Sequence, residues 1–163
     1  MHYLVDGYNF LFRLNADPKN LTERRQQLIN DLGTKAQLLN LQVTLVFDSQ
    51  YQQGESTRSH YKELEILFTS YGETADDRII EEVQAAAKPK QIVVVTSDKK
   101  LAWFARRCEA QTQSIEDFNT WLEKRYRNLY RGKKEKKEQS PGTKLETDID
   151  RWLRLFEERH KRL

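Results

Sequence analysis

HYLVDGYNFLF, residues 2–12, joins a short apolar run to an aspartate and then to Gly-Tyr-Asn. Tyr3, Leu4 and Val5 read as a strand buried on both faces. An ionised carboxylate at the end of such a strand, Asp6, is costly unless a cation, hydrogen-bond donors or water compensates it. Two other runs have the same form: VTLVF (Val43 to Phe47) leads to Asp48, and QIVVVT (Gln91 to Thr96) leads through Ser97 to Asp98. Between them Leu21, Leu28, Leu32, Ala36 and Leu39 recur at helix spacing, as do Ile79, Ile80, Val83 and Ala86 in ADDRIIEEVQAAA. Strand alternating with helix predicts parallel βαβ units, and so an α/β fold with a mainly parallel sheet. ELEILFT (Glu63 to Thr69) is a weaker strand candidate and Ala110 to Gln113 a short edge strand, while QQGESTRSHYK, residues 52–62, reads as a polar loop. Ser114 caps a further helix with Asp117 three residues on, and Ile115, Phe118, Trp121, Leu122 and Leu129 face the core.

The chain has 163 residues, 37% of them apolar, enough for one ordinary core. No run approaches the roughly 18 apolar residues of a membrane span. The first strand starts at His2, which leaves no room for a signal peptide, so a cytoplasmic protein with no membrane partner is expected. Cys108 is the single cysteine and supports neither an internal disulfide nor a thiolate metal site. The net charge of +3 is too mild to identify a partner, but its distribution is uneven. Lys124 to Lys137 holds eight Lys/Arg and one acid, with Tyr126 and Tyr130 interleaved. This run, with Lys124, Arg125, Arg127, Arg131, Lys133 and Lys134, is either a contact for a polyanionic partner or a solvated helix end and linker. RGKKEKKEQSPG, residues 131–142, lacks apolar side chains and reads as linker. A capping box, Thr143-Lys-Leu-Glu146, then opens an amphipathic helix with Leu145, Ile149, Trp152, Leu153 and Phe156 on one face. The expected organisation is a domain over 1–130, a basic linker over 131–142 and a C-terminal helix over 143–163. That helix docks on the domain or on a partner or second copy; the oligomeric state stays open.

Ligands of open parallel α/β sheets bind beyond the carboxyl ends of the strands, so Asp6, Asp48 and Asp98 are delivered to one rim from distant positions. Asp76 and Asp77, in ETADDR, open a helix starting at the same rim, where the helix N-terminus offsets part of the charge. Each aspartate alone is an ordinary turn former or cap. Together they repel one another, and the usual relief is a divalent cation. With oxygen donors and no cysteine or paired histidine among them, that ion is Mg²⁺ or Mn²⁺. Other acid-rimmed folds fit less well. A phosphoaspartate phosphatase needs an acid where Tyr8 stands, and a phosphorelay receiver needs adjacent acids after its first strand, although Asp48, Thr96 and Lys99 echo one faintly. Neither a GxxxxGK[ST] nor a GxGxxG loop is present, which argues against nucleotide-fuelled chemistry.

Five blocks in order, VDGYN (5–9), VFD (46–48), ILFT (66–69), ETADDRI (73–79) and VTSD (95–98), resemble the NYN domains of the PIN-like nuclease superfamily, specifically the YacP-like branch. The resemblance covers roughly residues 1 to 130. It implies a three-layer PIN-like fold with a twisted, mainly parallel sheet flanked by helices, an acidic metal centre and endoribonuclease activity. The bacterial branch implies action on messenger RNA associated with ribosomes. By position, Asp6, Asp76 and Asp98 resemble the metal aspartates and Asn9 the polar residue of the family's name. Asp77 occupies a place where a glutamate is equally acceptable, and Asp48 is either a ligand or an acceptor behind one. Metal-activated water would then leave 5′-phosphate and 3′-hydroxyl ends. Tyr8 either stacks on a base or belongs to the core, and Arg58 and Lys62 are candidate phosphate contacts. The competing class is a non-catalytic RNA or ribosome-binding module on the same fold.

Overall fold

The computed structural model describes residues 1–14, 20–48 and 57–138, together with Phe156 and Arg159; beyond Gly132 the rest of that last segment is described as backbone only. In chain order the elements are β1 (His2–Asp6), α1 (Gly7–Leu14), α2 (Leu21–Leu39), β2 (Gln42–Phe47), β3 (Thr57–Tyr61), β4 (Leu64–Phe68), α3 (Ala75–Ala85), β5 (Ile92–Val95), α4 (Lys99–Arg107), β6 (Gln111–Gln113) and α5 (Ile115–Glu138). The strands form one six-stranded sheet in the order β3-β4-β2-β1-β5-β6. All pair in parallel except β3, which runs antiparallel to β4 along one edge.

Strand alternation divides the core in two. Tyr3, Val5, Val43, Leu45, Phe47, Leu64, Ile66, Val93 and Val95 pack on one side with α1, α2 and α5. Leu4, Val46, Leu67, Ile92 and Val94 pack on the other with Ile79 and Val83 of α3 and Leu101 and Ala105 of α4. Both faces are covered, which is why the central strands read as unbroken apolar runs. Residues Met1–Leu129 form one compact unit and Tyr130–Leu163 a second. No described helix is long and apolar enough to cross a membrane.

Three features differ from the expectations. Residues 57–61 are an exposed edge strand instead of a loop: their polarity reflects the solvent-facing edge they occupy. Residues 131–138 continue α5 rather than starting a linker, because Lys, Arg and Glu are good helix formers and lack of apolar residues does not end a helix. α1 and α4 were not foreseen. A Cβ on Gly7 would lie 2.4 Å from the Phe47 ring, so glycine is what lets β1 turn directly into α1. The helix expected from Thr143 lies outside the described residues apart from Phe156 and Arg159, both helical.

The connection from β1 runs to β2 on one side, whereas that from β5 runs to β6 on the other. The strand order therefore switches between β1 and β5, and the crevice beyond their carboxyl ends is the binding position that this topology creates.

Candidate functional site

Asp6 is the last residue of β1 and stands at that switch, 8% exposed. Its described hydrogen bond is a long one, accepted by Oδ1 from the Asn9 backbone N–H at 3.4 Å. Burial first, then the charge of Asp76, push its carboxyl up to about 7; the Asn9 N–H opposes this, and Asp48 and Asp98 add to it. Asp76, half-buried in the first turn of α3, is likewise raised by burial, then by Asp98, Asp77 and Asp48, with Lys100 opposing. The charges of Asp48, Asp76 and Asp98 thus all act on Asp6, so the acids of three strand ends and one helix start lie near one another.

Each acid reaches the rim by its own local device. Asp98 caps α4: Oδ1 accepts from the backbone N–H groups of Lys100 at 2.8 Å and Leu101 at 3.1 Å. The Asp98 N–H donates to the hydroxyl of buried Thr96 at 3.0 Å, which fixes the turn after β5. Thr74 caps α3 by accepting from the Asp77 N–H at 3.1 Å. Asp77 itself is exposed, as expected for consecutive helix residues about 100° apart. Asp48, half-buried, follows β2 directly.

The donors suit a hard cation: four carboxylates, plus the Asn9 side-chain oxygen, which is buried without a hydrogen-bond partner. A buried acceptor left so is costly and invites a cation or donor. As the side chains stand, no three His, Cys, Asp or Glu groups among the described residues close on one ion. The set therefore fits a divalent metal in its donor chemistry, and its side chains would have to converge further to hold one.

The RNA-contact candidates do not gather here. Tyr8 is in the core, packed edge-on to Phe47 at 5.0 Å, with its hydroxyl accepting from Arg25 at 3.0 Å, so it offers no face to a base. Arg58 is held by Glu65 at 2.6 Å and Glu82 at 2.7 Å, which compensates its charge. Lys62 sits in the β3–β4 turn, donating to the Thr34 hydroxyl at 3.2 Å. β4 starts there and runs parallel to β1 and β2, so Lys62 marks the rim opposite the acids. The α5 N-terminus meets the acidic rim through the Ile115 N–H, which donates to Ser97 Oγ at 3.3 Å. At 1.5 Å per residue, Lys124, Arg125 and Arg127 lie roughly 13–18 Å further along that helix. All three are exposed, and Arg125 lies over the Trp121 ring at 5.1 Å. Arg131 is exposed; the side chains of Lys133 and Lys134 lie outside the described residues. Sequence reading missed Lys100, the cation whose field reaches Asp76; the signal was its place two residues after a strand-end aspartate.

Comparison with known proteins adds the family. The uncharacterized protein YacP of Bacillus subtilis (strain 168) is 31% identical over 105 residues, which is 61% of this chain and 62% of that protein. The match thus spans about three fifths of the relative's length. The crystal structure of Rae1 (YacP) from Bacillus subtilis superposes with a TM-score of 0.69 at 28% identity, covering 86% of this chain and 84% of that one. Its W164L mutant gives 0.70 at 26% identity, with 86% and 87% covered. The sequence model of the YacP-like NYN domain matches residues 3–158, nearly the whole chain, so a nuclease-like α/β fold carrying an acidic rim at its switch point belongs to the YacP-like NYN family.

Proposed function

We propose that this protein is a metal-dependent endoribonuclease, acting on messenger RNA in association with ribosomes. The observation that carries the reading is the coupled set of Asp6, Asp48, Asp76 and Asp98, two of them raised by burial and by their neighbours, beside the orphaned Asn9 oxygen. Buried like charges of this kind repel a phosphodiester unless a cation stands between them. Nucleases of the family generally use divalent metals. The messenger and ribosome part rests on the sequence blocks shared with the bacterial branch.

A bound Mg²⁺ or Mn²⁺ supplies a water of lowered pKa and offsets charge on the phosphate. Asp6, Asp76 and Asp98 are the residues that would hold it. The Asp98 cap bonds both end on Oδ1, which fixes this carboxylate and leaves Oδ2 outside the cap. Asn9 adds a neutral oxygen, and Lys100 brings a positive charge for a phosphate oxygen. Asp6, raised to about 7 by burial first and by Asp76 next, would be favoured in its ionised form by a cation held beside it.

The alternative, a non-catalytic RNA or ribosome-binding module, is favoured by one observation: no three described acids close on one ion. The deciding experiment is cleavage of cellular RNA, with and without ribosomes, in Mg²⁺, Mn²⁺ or chelator, with the new ends mapped. The enzyme reading expects metal-dependent 5′-phosphate and 3′-hydroxyl ends that vanish in folded Asp6→Asn and Asp98→Asn. Equal cutting by those variants overturns the carboxylate assignment, and binding without new ends selects the module.

A further inference from the structure

Among the described residues four large apolar side chains are exposed: Met1, Tyr71, Trp103 and Phe104. The last two are adjacent on α4, 49% and 42% exposed, with ring centroids 4.9 Å apart and planes at 80°. The helix does not need them for packing, since Leu101 and Ala105, one turn apart, make its contact with the core. Single exposed aromatics are common on protein surfaces and carry no message; an edge-to-face pair is a shaped apolar surface held out in water.

Its surroundings are cationic. KKLAWFARR, residues 99–107, has four basic residues and no acid, and Lys99, Lys100, Arg106 and Arg107 are all exposed. The Arg107 guanidinium lies 4.8 Å from the Trp103 ring centroid. Arg106 is tied at 3.0 Å to the Thr112 hydroxyl. α4 is also the helix that Asp98 caps, and the charge of its Lys100 reaches Asp76. Trp103, five residues beyond Asp98, stands roughly 7.5 Å along the helix axis from the acidic rim. The α5 cations are about twice as far from their own end of that rim.

Aromatic rings interleaved with Lys and Arg are what single-stranded nucleic acid requires: π-faces for its bases and cations for its phosphates. We infer that Trp103 and Phe104, flanked by Arg107, form a base-stacking platform for single-stranded RNA, leading the strand from α4 to the carboxylate rim. The inference rests on the RNA reading above and adds where bases are held. Charge favours RNA over an apolar protein partner, which four exposed cations around two rings would repel by their desolvation cost.

The test measures binding of a single-stranded RNA, in chelator to prevent cutting, and of an abasic ribose-phosphate strand of the same length. Wild type is compared with Trp103→Leu, Phe104→Leu, the double variant and Trp103→Phe. These side chains are exposed, so helix content and unfolding midpoint should match wild type. Trp103→Leu should lose about five- to 150-fold in RNA affinity, the equivalent of one stacked base. It should leave abasic-strand binding and the salt slope unchanged, and Trp103→Phe should retain most of the affinity. RNA affinity unchanged in the Leu variants, while wild type still binds RNA, overturns the platform and leaves the nuclease reading standing. Equal losses for RNA and abasic strand also overturn it, since no base would then be stacked. Self-association of wild type that Trp103→Leu abolishes, with RNA affinity intact, reassigns the face to a second copy. Failure of wild type to bind any RNA both in chelator and in Ca²⁺, which offsets the rim charge in place of Mg²⁺ or Mn²⁺, removes both readings together.

Discussion

Two of the carboxylate clusters among the described residues are handled in opposite ways. Between α2 and α5, buried Lys35 donates to Asp31 Oδ2 at 2.9 Å and to Glu123 Oε1, and its ammonium lies 5.6 Å from the Tyr126 ring. Burial alone would lower its pKa, but the two carboxylates more than offset this and raise it. At the acidic rim the charges of neighbouring aspartates add to the effect of burial, Lys100 opposes it at Asp76, and the pKa values of Asp6 and Asp76 rise. Where the chain supplies its own cation, carboxylates tie two helices together. Where carboxylates instead raise one another's pKa, a proton or an external ion is favoured, and that is the difference the proposed site rests on.

The contrast can be broken most directly at Lys35. Lys35→Met leaves Asp31 and buried Glu123 uncompensated and should cost about 3–5 kcal/mol in urea unfolding, with Lys35→Met/Glu123→Leu recovering most of it. A loss below about 1 kcal/mol would show that the cluster is not the tie between α2 and α5.

Next in size is Asp6→Asn in metal-free protein. The folded carboxyl is near 7 against 3.8 unfolded, so between these values the folded state binds more protons. Wild-type stability should therefore fall as pH rises from about 4 to 7 and level off above. Asp6→Asn should remove that slope and be more stable by about 2–4 kcal/mol at pH 8. Parallel pH profiles for the two proteins would mean that the rim is not strained by its charge.

Divalent metal sharpens the same comparison. Saturating Mn²⁺ at 100 times its Kd should raise wild-type stability by about 2.7 kcal/mol, read by calorimetry at pH 8. The same increment should appear in Lys35→Met and disappear in Asp6→Asn. An increment that survives in Asp6→Asn places the ion elsewhere.

The smallest effect concerns the end of α5. Changing Lys133, Lys134, Lys136 and Lys137 to Gln should alter stability by less than about 0.5 kcal/mol. If they meet phosphates, the dependence of RNA affinity on log salt should flatten by about 0.7 per lost contact. An unchanged slope assigns them to a solvated helix.

The three central strands, the helices over 21–39, 75–85 and from 115, and the acids at the strand ends were all readable from local pattern. Each depends on a periodicity or a cap contained in a few consecutive residues. β3 was not readable, because an exposed edge strand carries no apolar alternation; nor was α4, whose two exposed aromatics blur the apolar stripe that its Leu101 and Ala105 would otherwise announce. At the site, sequence order alone brought Asp6, Asp48, Asp76 and Asp98 to one rim, since parallel strands all deliver their ends to the same side. Which candidate cations are already neutralised, as Arg58 is by Glu65 and Glu82, and which aromatic is core, as Tyr8 is, depended on side chains from distant elements. Local pattern determined the elements and the side on which the acids emerge. Only tertiary packing decided burial, mutual repulsion and pairing, because those depend on distances that close between residues far apart in the chain.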